Sequence, residues 1–135
     1  MNGLHIFILH YEDTEKTLRC LAAFNSQMNM NATNTRIFVI DNGSPVAFEQ
    51  EWERTPAFAD VEVIRHEKNL FLIEAFNRAM QANPANCYIC AANDTIPHSG
   101  LVNGFLSELV RHDVGVVSGG TNDKGAGVLH GCDQP

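Results

Sequence analysis

Three short stretches of the 135-residue chain carry the side chains best suited to chemistry: His10-Tyr11-Glu12, Asp41-Asn42-Gly43-Ser44 and Asn93-Asp94-Thr95. Each follows an apolar run, so each sets a carboxylate or an amide where a buried segment hands over to a turn. A carboxylate in such a place can accept the imide or amino hydrogen of a nucleobase. Another can ligate a hard divalent cation that bridges phosphates. Asp41 poses the sharper question, because it ends "FVID", at a position well shielded from water. It either reads a ligand or caps the turn through Asn42-Gly43, since Asp is common before turns. Asp94 has a similar pair of readings: a metal-binding acid, or an Asx-type turn ahead of Thr95 and Pro97.

The elements that must position these residues follow from the apolar pattern. Leu4–Leu9 is nearly continuous in apolar residues, as expected of a strand covered on both faces. Asp13 or Thr14 can cap a helix to about Met28, with Leu18, Leu21, Phe24 and Met28 at helical spacing. The amide-rich run from Asn29 to Thr35 reads as a loop. Arg36–Asp41 is the second strand, and a short helix over Val46–Arg54 enters through Pro45 and closes at Pro56. Val61–Arg65 is the third strand. Asn69 caps a helix to about Ala82, stopped by Asn83-Pro84. Cys87–Ala92, a helix from about Ser99 to His112, and a fifth strand over Val114–Ser118 complete the pattern.

This alternation with short connections predicts an α/β fold: one parallel sheet, strand order about 3-2-1-4-5, with helices on both faces. In such a sheet ligands bind beyond the carboxyl ends of the strands, where the winding reverses, and that edge gathers all three stretches together with His66 to Asn69. Residues 1–118 are expected to form this single domain and residues 119–135 an irregular tail.

Composition narrows the function. A formal net charge of −7 with scattered Lys and Arg argues against a nucleic-acid binder, which needs clustered cations to displace counterions. A phosphorylated small molecule is still compatible, if a metal or helix N-termini supply positive field. The longest early apolar run, Ile6 to Leu9, is too short to span lipid, and no signal-peptide cleavage pattern follows it. Four cysteines without that signal predict reduced thiols and a cytoplasmic location. Cys87 and Cys90 form a C-x-x-C, but a spacing of three along a strand sends the side chains to opposite faces, so buried structural thiols are expected rather than a zinc site with His130 and Cys132. No G-x-G-x-x-G follows the first strand, and Gly120 to Gly127 lacks the G-K-[ST] of a phosphate loop.

Four segments together resemble the donor-binding half of the GT-A fold glycosyltransferases of family 2, over roughly Leu4 to Ser118. "IFILHYED" is similar to the family's first strand, and "IFVIDNGS" to the second, whose Asp contacts the nucleotide base. "EKNLFLIEAFNRAMQA" is similar to its Asn-containing helix start, with Asn69 and Asn77 in place, and "YICAANDTIPHSGL" to the strand ending in Asp-x-Asp. The resemblance implies a Rossmann-like GT-A domain that binds a nucleoside diphosphate sugar. It implies nucleotide contacts from His10, Tyr11, Glu12, Asp41, Asn69, Asn77 and Asn93, with Asn93 facing the ribose, and a weakly held Mn or Mg ion at Asp94.

Departures from the pattern matter. Glu12 stands for Asn, Val46 for an acid, Phe71 for a Gly, and Ala92 for the first acid of Asp-x-Asp. The family's second half, with its acceptor site and catalytic base, has no counterpart in the remaining residues, whose carboxylates are Asp123 and Asp133. His130 there is a weaker candidate for the metal. No catalytic residue is assigned. The chain is expected to bind a donor without completing transfer alone, and to self-associate through the strand at Val114–Ser118 and the helix carrying Phe105 and Leu109. The alternatives are a nucleotide-binding module without chemistry and a truncated relative that acts as an interaction protein.

Overall fold

The computed structural model describes residues 3–28, 34–111 and 113–119. The strands are β1 (Leu4–His10), β2 (Thr35–Asp41), β3 (Glu62–Arg65) and β4 (Cys87–Ala92), and the helices α1 (Thr14–Met28), α2 (Phe48–Glu51), α3 (Phe71–Ala82) and α4 (Leu101–Leu109). A 3₁₀ turn occupies Pro56–Phe58. The chain divides into two compact units, Met1–Pro97 with the sheet and His98–Pro135 with α4.

The described sheet has four strands in the order β3-β2-β1-β4, every pairing parallel. β1 lies between two neighbours, which is why Leu4, Ile6, Phe7 and Ile8 are all buried. Alternation along β1 and β2 then sorts the two faces. Phe7 pairs in register with Phe38, and with Ile40 they pack against Leu70, Ala75, Phe76 and Ala79 at α3. The Phe7 and Phe38 rings lie 5.0 Å apart, and the Tyr88 ring stacks on Phe7 at 5.9 Å. The opposite parity, Ile6, Ile8 and His10 with Val39 and Asp41, faces α1. Thr17, Cys20, Leu21 and Phe24 of α1 form its buried stripe, and the Cys20 thiol donates to the Ala92 carbonyl at 3.7 Å. Asp13 caps this helix, its Oδ1 accepting from the Lys16 N–H at 3.2 Å.

The α/β class, the parallel sheet and the order of its first four strands agree with the sequence reading. The fifth strand does not. Residues 114–118 are irregular and Val116 is 88% exposed: this short run contains Gly115, adjoins Gly119 and has no ladder partner among the described residues. Self-association through a strand there therefore loses its basis. The second helix is shorter than expected: it ends at Glu51, and Trp52 turns extended to bury its ring against Phe48 at 5.1 Å. Of the described cysteines Cys20 is buried, Cys87 half-buried and Cys90 exposed, so the expected burial of Cys90 fails on an outer strand of the described sheet. Among the described residues no helix is long and apolar enough to cross a membrane.

Because Phe38 is fully enclosed between Phe7 and the α3 cluster, Phe38→Ala should cost about 3–5 kcal/mol in urea denaturation, a large part of the roughly 5–15 kcal/mol typical of a domain. A loss below about 1 kcal/mol would show that this face of the sheet can collapse around the cavity.

Candidate functional site

The last residues of three adjacent strands stand in one row across the carboxyl edge of the sheet: His10 pairs with Asp41, and Asp41 with Arg65. Their shared parity turns them toward the α1 face, so the row is buried at its centre and open at its β3 end. Asp41 is 1% exposed, and every carboxylate oxygen has a donor. Oδ1 accepts from the Ser44 N–H at 3.0 Å, and Oδ2 accepts from the Phe48 N–H at 2.9 Å and from Arg65 Nη1. Burial alone would raise the Asp41 pKa. The bonds from Phe48, Ser44 and Arg65 outweigh it and hold the carboxyl below the usual range. The same residue thus starts α2, closes the 41–44 turn and pairs with a half-exposed guanidinium, whose Nη2 also donates to the Ser44 carbonyl at 2.9 Å.

His10, beside it, is fully buried, and burial lowers its pKa against the pull of Asp41, Glu51 and Asp13. Its Nδ1 shares a 2.5 Å hydrogen bond with the Thr17 hydroxyl, while Nε2 is buried with no hydrogen-bond partner. Thr17 Oγ1 also accepts from Asn93 Nδ2 at 3.1 Å, and that amide donates to the Glu12 carbonyl at 3.3 Å. The Glu12 N–H donates to Ser44 Oγ at 3.0 Å. One continuous network therefore joins the ends of β1, β2 and β4.

Beyond β2, Asn42 performs the same service for the loop after β3. Its Oδ1 accepts from the Leu70 N–H at 3.0 Å, and its Nδ2 donates to Asn69 Oδ1 at 3.0 Å and to the Phe71 carbonyl at 3.4 Å. Asn69 Oδ1 in turn accepts from the Phe71 N–H at 2.7 Å, so Asn69 satisfies the first amide of α3 although Leu70 occupies the cap position. Gly43 makes the approach possible: at φ +79°, a Cβ there would stand 2.4 Å from the Lys68 carbonyl carbon.

Among the described residues, the non-glycine positions with positive φ are Glu12 and Asp13, in the turn after β1, and Phe71, the first residue of α3. Each costs roughly 1–2 kcal/mol relative to ordinary backbone, and strain of this kind clusters at functional sites. Phe71 has φ 60° where the family pattern carries glycine, and its ring is 80% exposed. It lines an open cavity of about 710 Å³ with Leu70, Asn77 and Arg78.

The sequence candidates accordingly divide by what they present. Tyr11 is 44% exposed, Glu12, Asn69, Asn77 and Asp94 are exposed, and Asn93 is half-buried. His10 and Asp41 lie beneath them. Asn77 stands apart from the network, further along α3 on the cavity wall. Asp94 is a lone carboxylate: among the described residues no three His, Cys, Asp or Glu side chains converge to hold a metal ion. Its charge reinforces burial in pushing the Cys20 thiol up to about 12, which leaves that sulfur without nucleophilic character at neutral pH. His130, Cys132, Asp123 and Asp133 lie outside the described residues.

Sequence reading missed Arg65 and Thr17, and it placed Asn42 at this edge without the role it has in holding the loop after β3. Arg65 had a signal, since it ends a predicted strand next to the one ended by Asp41, and opposite charges in adjacent terminal positions invite pairing. Thr17 had none, because a threonine within a helix stripe reads as core.

The model of glycosyl transferase family 2 matches residues 6–130. Among solved structures, the crystal structure of S. aureus TarS 1-349 is similar with a TM-score of 0.64 at 16% sequence identity, over 80% of this chain and 33% of that one. The likeness at that identity is one of fold, and the chain spans about a third of the length of that protein. No curated protein sequence matches the chain.

Asp41→Asn should lower stability by about 1.5–3 kcal/mol at pH 7, since a charged acceptor with three donors becomes neutral. The folded pKa lies below the unfolded value of about 3.9, so the stabilisation is complete above that pH and disappears as the pH falls through the folded value. Denaturation curves of wild type and variant should therefore converge below about pH 4. A gap that stays constant with pH would assign the loss to packing instead of charge.

Proposed function

The chain belongs to glycosyl transferase family 2, and from that membership we propose that it binds a nucleoside diphosphate sugar at the carboxyl edge of its sheet. The observation that carries the proposal is the reversal of strand order between β1 and β4. Ligands of open α/β sheets bind at such a point. Tyr11, Glu12, Asn93 and Asp94 all follow these two strands. In this reading Tyr11, Glu12, Asn69, Asn77 and Asn93 contact the nucleotide. Asp41 and His10 act from beneath by holding the loops, with Asp41 fixing the turn next to which the base would lie.

A divalent Mn or Mg ion, the family's usual aid to a departing diphosphate, finds a poor donor set here. Asp94 offers one carboxylate, Ala92 offers none, and no further ligating group joins them among the described residues. A cation would be held mainly by the diphosphate. Sugar transfer further requires an acceptor aligned with the sugar carbon and a base within reach of its hydroxyl. Neither is assigned to a residue of this chain. The missing first acid favours, as a second reading, a nucleotide-binding module that performs no chemistry. Self-association belongs to the same proposal, now through the helix carrying Phe105 and Leu109, beside which Val110 is exposed.

A titration of the ¹⁵N-labelled chain with nucleoside diphosphates, with and without manganese, tests the site. Shifts should concentrate at residues 11–12, 42–44, 69–71 and 93–95. Shifts confined to the polar groove of Arg36, Arg54, Asp60 and Glu62 at the start of β2 and β3, or no shifts at millimolar nucleotide, would overturn the proposal.

A further inference from the structure

Phe71 is a large apolar residue at this edge whose side chain stands largely in solvent. Its backbone is locked in the left-handed region by the site's own loops, through the bond from its N–H to Asn69 and the bond to its carbonyl from Asn42. A glycine would meet that demand without strain. The ring returns nothing to the core: it is largely exposed, and no aromatic or cationic group contacts it among the described residues. A strained, bulky, solvent-facing aromatic has no folding rationale, which makes it a pointer to function.

What the ring does form is a wall of the open cavity, whose volume of about 710 Å³ falls in the range of small-molecule sites. Leu70 and Leu72 extend the apolar surface around it, while the Asn77 amide and the Arg78 guanidinium supply polar groups at its margin. An apolar ring in a groove that also carries an amide and a guanidinium suits a planar heteroaromatic ligand, which stacks through its π-face and presents hydrogen-bonding groups at its rim. A phosphate would gain nothing from the ring.

We infer that Phe71 is the stacking platform for the base of the bound nucleoside diphosphate. The inference rests on the donor-binding reading above and extends it by naming the residue that takes the base and the face it offers. Stacking of this kind tolerates any base, so Phe71 sets affinity for nucleosides as a class, and choice among bases falls to the amides nearby.

The test compares Phe71→Gly, Phe71→Leu and Phe71→Trp with wild type, using uridine and guanosine diphosphates and inorganic pyrophosphate as probes. Phe71→Gly should melt at or above the wild-type temperature, because the strain is relieved, yet bind both nucleotides about tenfold more weakly. Phe71→Leu should weaken binding by a similar factor, and Phe71→Trp should restore it. Pyrophosphate, which has no base, should bind every variant as it binds wild type. Unchanged nucleotide affinity in Phe71→Gly and Phe71→Leu would overturn the inference while leaving donor binding intact. A parallel loss of pyrophosphate binding would overturn it too, by showing that the residue acts through loop structure. A wild-type chain that binds neither nucleotide would remove the donor-binding reading itself, and this inference with it.

Discussion

Everything at the carboxyl edge depends on one buried carboxylate being satisfied. An Asp with almost no exposure would ordinarily be neutral or costly, and the chain keeps it charged by surrounding it with three donors from different elements. Those donors are the amide that closes the 41–44 turn, the amide that opens α2, and the guanidinium at the end of β3. The carboxylate is thus a junction at which strand, turn, helix and neighbouring strand are fixed in one geometry. Remove it, and Asn42, Gly43 and Ser44 lose the constraint that lets them reach the flanking loops.

From that junction order spreads both ways along the edge. Ser44 passes it to Glu12, and Glu12 with Thr17 passes it to Asn93. Asn42 passes it to Leu70 and Phe71. These bonds hold Glu12 and Phe71, two of the strained residues, in place, so the hydrogen bonding that positions the candidate site also offsets the strain stored in it. The result is a hydrogen-bonded polar floor, with His10 Nε2 left unpartnered in it, beneath a rim of exposed Tyr11, Asn69 and Asp94.

How far this could be read from sequence depended on whether the signal was local. The apolar runs gave β1, β2 and β4 nearly to the residue, and Asp13 gave the start of α1, because pattern and caps are local properties. Val114–Ser118 looked like a strand by the same local measure, but a strand exists only if a neighbour accepts its hydrogen bonds. At the site, residue types and order identified the edge, while the division of labour was hidden. Asp41 and Asn42 stand side by side in sequence and both turn inward, to different loops. Nothing in "DNGS" reveals that Phe48, Arg65 and Leu70 will claim their side-chain atoms, since those partners are brought in by the register of β3 and the path of the loop after it.

The register of β1 has a consequence for synthesis. Leu4 pairs with Thr35 on one side and with Cys87 on the other. While the chain is being made, β1 and β2 can zip together early, but the second edge of β1 has no partner until β4 leaves the ribosome. At about 5–20 residues per second the wait lasts several seconds. Throughout it this buried, largely apolar strand offers an open ladder of amides and carbonyls, the kind of edge on which nascent chains join one another. The pairing of β1 with β4 is therefore the last part of the described sheet to come into being, and a chaperone that shields Leu4–His10 would be guarding the polar row at its carboxyl end as well as the fold.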